Sequence, residues 1–131
     1  MTELKQRILA AVGEDLAAIE QALAEHLNPH FDLVRKVAGH LLFAGGKRLR
    51  PLLMLLCARL CGHDTRDSIP AAIIFEYLHA ATLIHDDVVD GADLRRGQTV
   101  AHKIWDAPTA VLTGDFLLAR ALTLAARTQL P

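Results

Sequence analysis

Residues 69–90 read IPAAIIFEYLHAATLIHDDVVD, and Gly91 follows. The run is too long for a strand and apolar on nearly every face until its last turn, which predicts a central helix buried by its neighbours. Ser68 and Pro70 are its expected opening and Gly91 its stop.

On the amino-terminal side, Leu4, Ile8, Val12, Leu16, Ile19, Leu23 and Leu27 recur every three or four residues, an amphipathic helix ended by Asn28-Pro29. A second helix is expected from Asp32, as N-cap, to Phe43, broken by Gly45-Gly46. A third runs over 51–61, with Pro51 in its first turn and Gly62 at its end. On the carboxyl side come a loop with Arg95-Arg96-Gly97, a short segment from Thr99 to Trp105, and a last apolar helix. That helix opens at Asp106 and Pro108 and runs through Leu130 to the end of the sequence. No strand pattern is visible. The fold class is all-α, in keeping with 52% hydrophobic but only 5% aromatic residues, since aromatic side chains favour strands.

The 131 residues make one domain's worth of protein. A net charge of −1 gives no global reason to expect nucleic acid or an anionic membrane as partner. Cys57 and Cys61, one helical turn apart in an apolar run, are expected to be buried like small hydrophobes. Charges at Glu76, Asp115 and Arg120 interrupt the long apolar runs, which therefore read as core helices rather than transmembrane segments. With no signal-peptide pattern at the start, the expected location is cytoplasmic.

Asp86, Asp87 and Asp90 form a DDxxD pattern at the carboxyl end of the central helix. At about 100° per residue, Asp86 and Asp90 point the same way within about 40°, while Asp87 lies about 100° away. Carboxylates repel one another there and meet the negative end of the helix dipole. A shared divalent cation offsets both costs, and Mg²⁺ is held by one or two carboxylates plus substrate phosphates. The alternative is a solvated acidic helix end. Gly45-Gly46-Lys47-Arg48-Leu49-Arg50-Pro51 sets glycines and three cations before a helix amino terminus, an arrangement suited to a phosphate or diphosphate, although by itself it reads more readily as an ordinary solvated basic turn or a nucleic-acid patch. Arg95-Arg96-Gly97 is a second such turn. His79 lies within about 20° of the Asp86 face and is either a site residue or a satisfied core histidine. Glu76, on a buried helix, needs a cationic partner on another helix.

The strings GGKRLRP (45–51), EYLHAATLIHDDVVDGADLRRG (76–97) and AVLTGDFLLARA (110–121), in this order, resemble the trans-isoprenyl (polyprenyl) diphosphate synthases, most closely the long-chain members that make octaprenyl, solanesyl or decaprenyl chains. The resemblance implies an antiparallel helix bundle of the isoprenoid synthase type. Residues 1–131 would be the amino-terminal portion of a single synthase domain, with 1–30 an amphipathic helix and 31–131 the first active-site helices. It implies Mg²⁺ on Asp86 and Asp90, with Asp87 supporting and Arg95 contacting the allylic diphosphate. Lys47, Arg50, His79 and Arg96 would hold the diphosphate of isopentenyl diphosphate. The implied reaction is Mg²⁺-dependent prenyl transfer from an allylic diphosphate such as farnesyl diphosphate to isopentenyl diphosphate, giving a long all-trans chain for quinones. Ala81 and Thr82, small where short-product relatives carry bulky aromatics, imply the long product. A homodimer is expected, as in relatives.

Two features depart from the family pattern. The second aspartate-rich motif of the family is absent from the sequence, so the expectation is a short or incomplete synthase. Asp106-Ala107 follows Trp105 where relatives often have Gly-Asn. Rival readings are a non-catalytic subunit or fragment of a two-component prenyl synthase, and an HD-type metal-dependent phosphohydrolase using His85-Asp86, His63 or His79, and Asp115.

Overall fold

A computed structural model describes residues 2–128. Six helices and one small hairpin follow in the order α1 (Glu3–Leu27), α2 (Asp32–Leu42), α3 (Leu49–Leu60), α4 (Thr65–Asp90), β1 (Leu94–Arg95), β2 (Gln98–Thr99), α5 (Ala101–Ile104) and α6 (Ala107–Arg127). α4 is the hub, packed along α6 and α3 and touched by α1, α2 and α5. The four-residue connection between α3 and α4 makes them an antiparallel pair.

The core is built from one face of each helix. Ile19, Leu23 and Leu27 of α1, Val37 and Leu42 of α2, Leu55 of α3, Ile73, Tyr77 and Ile84 of α4, and Leu117 and Ala121 of α6 form one buried cluster. Tyr77, fully buried, donates its hydroxyl to the Leu23 carbonyl at 2.6 Å, so the polar tip of the largest core side chain is satisfied and ties α4 to α1. Burial raises its pKa well above the ordinary phenol value. α6 approaches α4 closely at Gly114, where an added Cβ would overlap the His85 imidazole. The His85 ring lies against α6, with Nε2 3.0 Å from the Val111 carbonyl and 3.3 Å from Asp115.

Several boundaries differ from the sequence reading. α4 begins at Thr65, a turn before Ser68 and Pro70, because Asp64 is the N-cap and accepts from the Arg66 amide at 2.7 Å. The Ser68 hydroxyl instead donates back to the Asp64 carbonyl. Asp32 lies in the first turn of α2, and Phe31 occupies the cap position without a capping side chain. α3 starts at Leu49, two residues before Pro51. α6 ends at Arg127 with Thr128 as C-cap, and the expected continuation through Leu130 lies outside the described residues. Its start was legible: Asp106 accepts from the Thr109 amide at 2.7 Å. The Asp106-Ala107 departure thus supplies the N-cap of α6.

Two corrections concern composition. Cys57 and Cys61 are exposed, not buried. α3 turns Pro51 and Leu55 inward, which sets Cys57 about 200° from Leu55, on the outer side with Leu53 and Leu60. The loop read as strandless contains a minimal antiparallel hairpin, pairing Leu94 with Thr99 and Arg95 with Gln98. Its two central residues, Arg96 and Gly97, both have positive φ (52° and 75°), the type I′ geometry that matches strand twist. α6 alone among the described helices is long and apolar enough to cross a membrane, but it carries Asp115 and Arg120 and packs against α4.

Candidate active site

α4 is not covered on every side. Phe75, Thr82, Asp86, Val89 and Asp90 are exposed, with His79 half-buried, and their spacing of three and four residues makes a single open stripe down the helix. The candidate site residues gather along its carboxyl-terminal part.

Asp86 and Asp90 lie on this stripe, one turn apart, with no ion-pair or hydrogen-bond partner among the described residues. Asp87 points inward. Its carboxylate, 8% exposed, takes the Arg95 guanidinium in a forked arrangement, with Nε 3.0 Å from both oxygens and Nη2 2.8 Å from Oδ1. The Asp87 hydrogen bonds raise the Arg95 pKa above its ordinary value, against a smaller effect of burial, with Asp86 and Asp90 adding to the attraction. No group of three or more His, Cys, Asp or Glu side chains converges to hold a metal among the described residues. Two free carboxylates with a sequestered third suit Mg²⁺, which completes its octahedron from substrate phosphates and water. The donor set therefore fits the cation on Asp86 and Asp90.

The hairpin carrying Arg95 and Arg96 is anchored at both ends. The Ala92 amide donates to the Asp87 carbonyl and the Val100 amide to the Asp93 carbonyl, both at 3.0 Å. His40 of α2 stands 2.7 Å from the Thr99 carbonyl through Nε2 and packs edge-on against Trp105. The two basic turns then meet. Arg96 Nη1 lies 3.1 Å from where a Cβ on Gly46 would be, so the absence of a side chain at Gly46 lets the hairpin tip close over the 45–50 loop. Between them lies an open pocket of about 500 Å³ lined by Gly45, Gly46, Lys47, Arg48, Arg50, Glu76 and Arg96. His79 borders the same cations. Burial lowers its pKa, the Arg50 charge lowers it further, Glu76 opposes, and Arg96 and Arg95 lower it again.

Lys47, Arg50 and Arg96 thus line one pocket, His79 feels the Arg50 and Arg96 charges, and Asp86 and Asp90 lie further along the stripe. Of the two chain-length positions, Thr82 is exposed on the stripe, its hydroxyl donating to the His79 carbonyl at 2.7 Å. Ala81 is 2% exposed and belongs to the packed interior.

Arg48, absent from the expected site, is the buried member of the basic loop. It is 5% exposed and pairs with Glu20 of α1 and Glu76 of α4. Glu76 thus has its cationic partner. The signal was present in the need of Glu76 for a cation, but nothing in the spacing distinguishes Arg48 from Lys47 or Arg50. The HD-type reading is not favoured: His85 approaches Asp115 at 3.3 Å, but Asp86 faces the open stripe and no three His, Cys, Asp or Glu side chains converge among the described residues.

The frame is helical and presents two carboxylates without partners among the described residues near a pocket lined by cations. The polyprenyl synthetase family model matches residues 31–131, and the chain belongs to that family. It is 48% identical over 123 residues to an all-trans-nonaprenyl-diphosphate synthase (geranyl-diphosphate specific) of Rhodobacter capsulatus, covering 93% of this chain and 38% of that protein. Identity is 35% over 119 residues to an octaprenyl diphosphate synthase of Escherichia coli, covering 91% of this chain and 37% of that one. The structure superposes on a polyprenyl synthase from Caulobacter crescentus complexed with calcium and isoprenyl diphosphate. The TM-score is 0.85 and the identity 42%, covering 92% of this chain and 37% of that chain. The chain therefore spans under two fifths of the length of these relatives.

Proposed function

We propose that this chain supplies the first aspartate-rich motif and both diphosphate-holding turns of a long-chain trans-prenyl transferase, which joins an allylic diphosphate to isopentenyl diphosphate. The observation that carries this reading is the pocket shared by Lys47, Arg50 and Arg96, with His79 in reach of the Arg50 and Arg96 charges, beside a stripe ending in Asp86 and Asp90, which have no partner among the described residues.

Each residue's part follows from its surroundings. Asp86 and Asp90 would hold Mg²⁺, which when bound supplies positive charge to the departing diphosphate. Arg95, fixed by Asp87, presents its remaining N–H donors to that same diphosphate. Lys47, Arg50, His79 and Arg96 hold the isopentenyl diphosphate group, and Phe75 and Leu53, exposed beside Cys57, offer apolar surface to a prenyl chain. Ionisation breaks the allylic carbon–oxygen bond and releases diphosphate, the isopentenyl double bond attacks the resulting cation to form a carbon–carbon bond, and loss of a proton to the released diphosphate or water restores the double bond.

The test is prenyl transfer with farnesyl diphosphate, labelled isopentenyl diphosphate and Mg²⁺. A long all-trans product is expected, and Thr82→Phe should shorten it, because the ring would cross the open stripe one turn below Asp86. Ala81→Phe is a poorer probe: overpacking a closed position costs about 1–3 kcal/mol before any effect on product. An unchanged product length in Thr82→Phe would sink the chain-length assignment, and absence of transfer by the chain together with its full synthase context would sink the function.

A pH dependence follows from His79. Without ligand its folded pKa is lowered, so the group contributes its full stability above the unfolded value of about 6.5 and loses it as pH falls below. A bound diphosphate reverses the local field and favours the protonated ring. Diphosphate binding should therefore take up a proton and tighten as pH falls from 8 towards 6, by roughly three- to tenfold beyond the change in a His79→Gln variant. Calorimetric titrations of the two proteins check this, and parallel pH profiles would refute it.

For assembly, the exposed stripe Val111, Leu112, Leu118 and Leu122 on α6 supports a homodimer, in a cytoplasmic setting. Sedimentation showing a monodisperse monomer of the intact protein would refute the dimer.

A further inference from the structure

Arg48 sits between two residues of the diphosphate site and faces the other way. Its backbone is left-handed, φ 54°, a conformation disfavoured for a side chain with a Cβ. That twist turns the guanidinium into the interior while Lys47 and Arg50 stay at the surface. There the guanidinium meets Glu20 of α1 through Nε and, at 3.2 Å, through Nη2. It reaches Glu76 of α4 through Nη1 at 3.2 Å, and donates to the Leu42 carbonyl at the end of α2. Three helices are thereby tied to the N-cap residue of α3. Nη1 also lies 3.3 Å from a Cβ position on Gly46, the glycine over which Arg96 closes. The second oxygen of Glu76 is buried without a hydrogen-bond partner among the described residues, and Glu76 also lines the pocket between the two basic turns.

We propose that Arg48, held by Glu20 and Glu76, is a positioning residue that sets the 45–50 loop so that Lys47, Arg50 and Arg96 converge on one diphosphate. The inference rests on the diphosphate reading of that pocket. It also gives α1, which precedes the family-matched segment, a part in substrate binding, because Glu20 holds the outer side of the clamp. A planar guanidinium can engage two carboxylates and a carbonyl at fixed angles, whereas an ammonium cannot.

Charge and geometry predict opposite results here, which separates positioning from simple electrostatics. Glu20→Gln removes a negative charge near a cationic pocket, so through-space attraction alone would leave diphosphate binding unchanged or tighten it. Loss of positioning weakens it instead. Arg48→Lys keeps the net charge and removes the fork. The experiment is calorimetric titration of inorganic diphosphate into the unmodified chain and both variants, with circular dichroism to establish native helicity. In the complete synthase, steady-state kinetics would accompany it. We expect five- to tenfold weaker diphosphate binding in both variants. In kinetics, KM for isopentenyl diphosphate rises while kcat and the allylic KM stay within twofold. Glu20 is half-exposed, so its variant keeps the fold even if Arg48→Lys does not. Equal or tighter binding by a natively helical Glu20→Gln protein overturns the proposal alone. No diphosphate binding by the unmodified chain overturns the reading of the pocket and the proposal with it.

Discussion

Asp86→Ala is expected to lower Mg²⁺-dependent prenyl transfer by on the order of 10³-fold while leaving the fold as stable as before or slightly more so. The two effects have one origin. Asp86 has no partner among the described residues, is exposed, and stands with Asp87 and Asp90 in the last turn of α4, where no basic residue offsets the helix dipole. Removing one carboxylate there relieves repulsion and an unfavourable helix-end charge, together about 0.3–1 kcal/mol. A packing residue would behave oppositely, losing stability first. Thermal unfolding with and without Mg²⁺ plus diphosphate makes the contrast measurable. Ligand linkage should raise the midpoint of the unmodified protein, and Asp86→Ala should lose the increment that depends on Mg²⁺ while keeping the one that diphosphate alone gives at Lys47, Arg50 and Arg96. Retained activity, or a large loss of stability without ligand, would remove Asp86 from the site.

The parts of this molecule that were legible in sequence are those in which a residue's chemistry has one structural use. Asp106 before Pro108 could only cap a helix, and it does. Glu76 on a buried helix had to find a cation, and it did. Where two residues compete for one role, local reasoning picked the wrong one. Asp64 and Ser68 are both good N-caps, and the earlier one wins because the Ser68 hydroxyl is already bonded to the Asp64 carbonyl inside the helix. Cys57 and Cys61 looked buried because their neighbours are apolar, but α3 is apolar on both sides and only the face of Pro51 and Leu55 is used by the core. The inward turn of Arg48 was beyond sequence reasoning. It depends on a left-handed backbone at one residue and on carboxylates 28 positions away in either direction. In the candidate site, helical periodicity correctly placed Asp86 with Asp90 and His79. It also set Asp87 apart, although its pairing with Arg95 needed the hairpin that the sequence pattern did not reveal.

Arg95→Gln should cost stability as well as activity, and the second effect should not be reversible by repairing the first. The Asp87 carboxylate is 8% exposed and its side-chain contacts among the described residues are those to Arg95. Withdrawing the guanidinium leaves a nearly buried charge unpaired. Loss of one partner from a fully buried pair costs about 3–5 kcal/mol, and because Arg95 is itself 31% exposed the expected loss is nearer 2 kcal/mol. Asp87→Asn alone is milder, since the freed Arg95 can reach water. It should nevertheless slow prenyl transfer by roughly tenfold, because the donor aimed at the allylic diphosphate is no longer held. The double variant removes the stranded carboxylate and should recover most of the stability lost in Arg95→Gln, a coupling of about 1–2 kcal/mol in a denaturation cycle. It should recover none of the activity, because glutamine cannot present the charged fork. Additive stabilities would mean that the pair is incidental to the fold. Recovery of transfer in the double variant would mean that Arg95 serves only to neutralise Asp87, and the diphosphate contact would have to be sought on another residue of the hairpin.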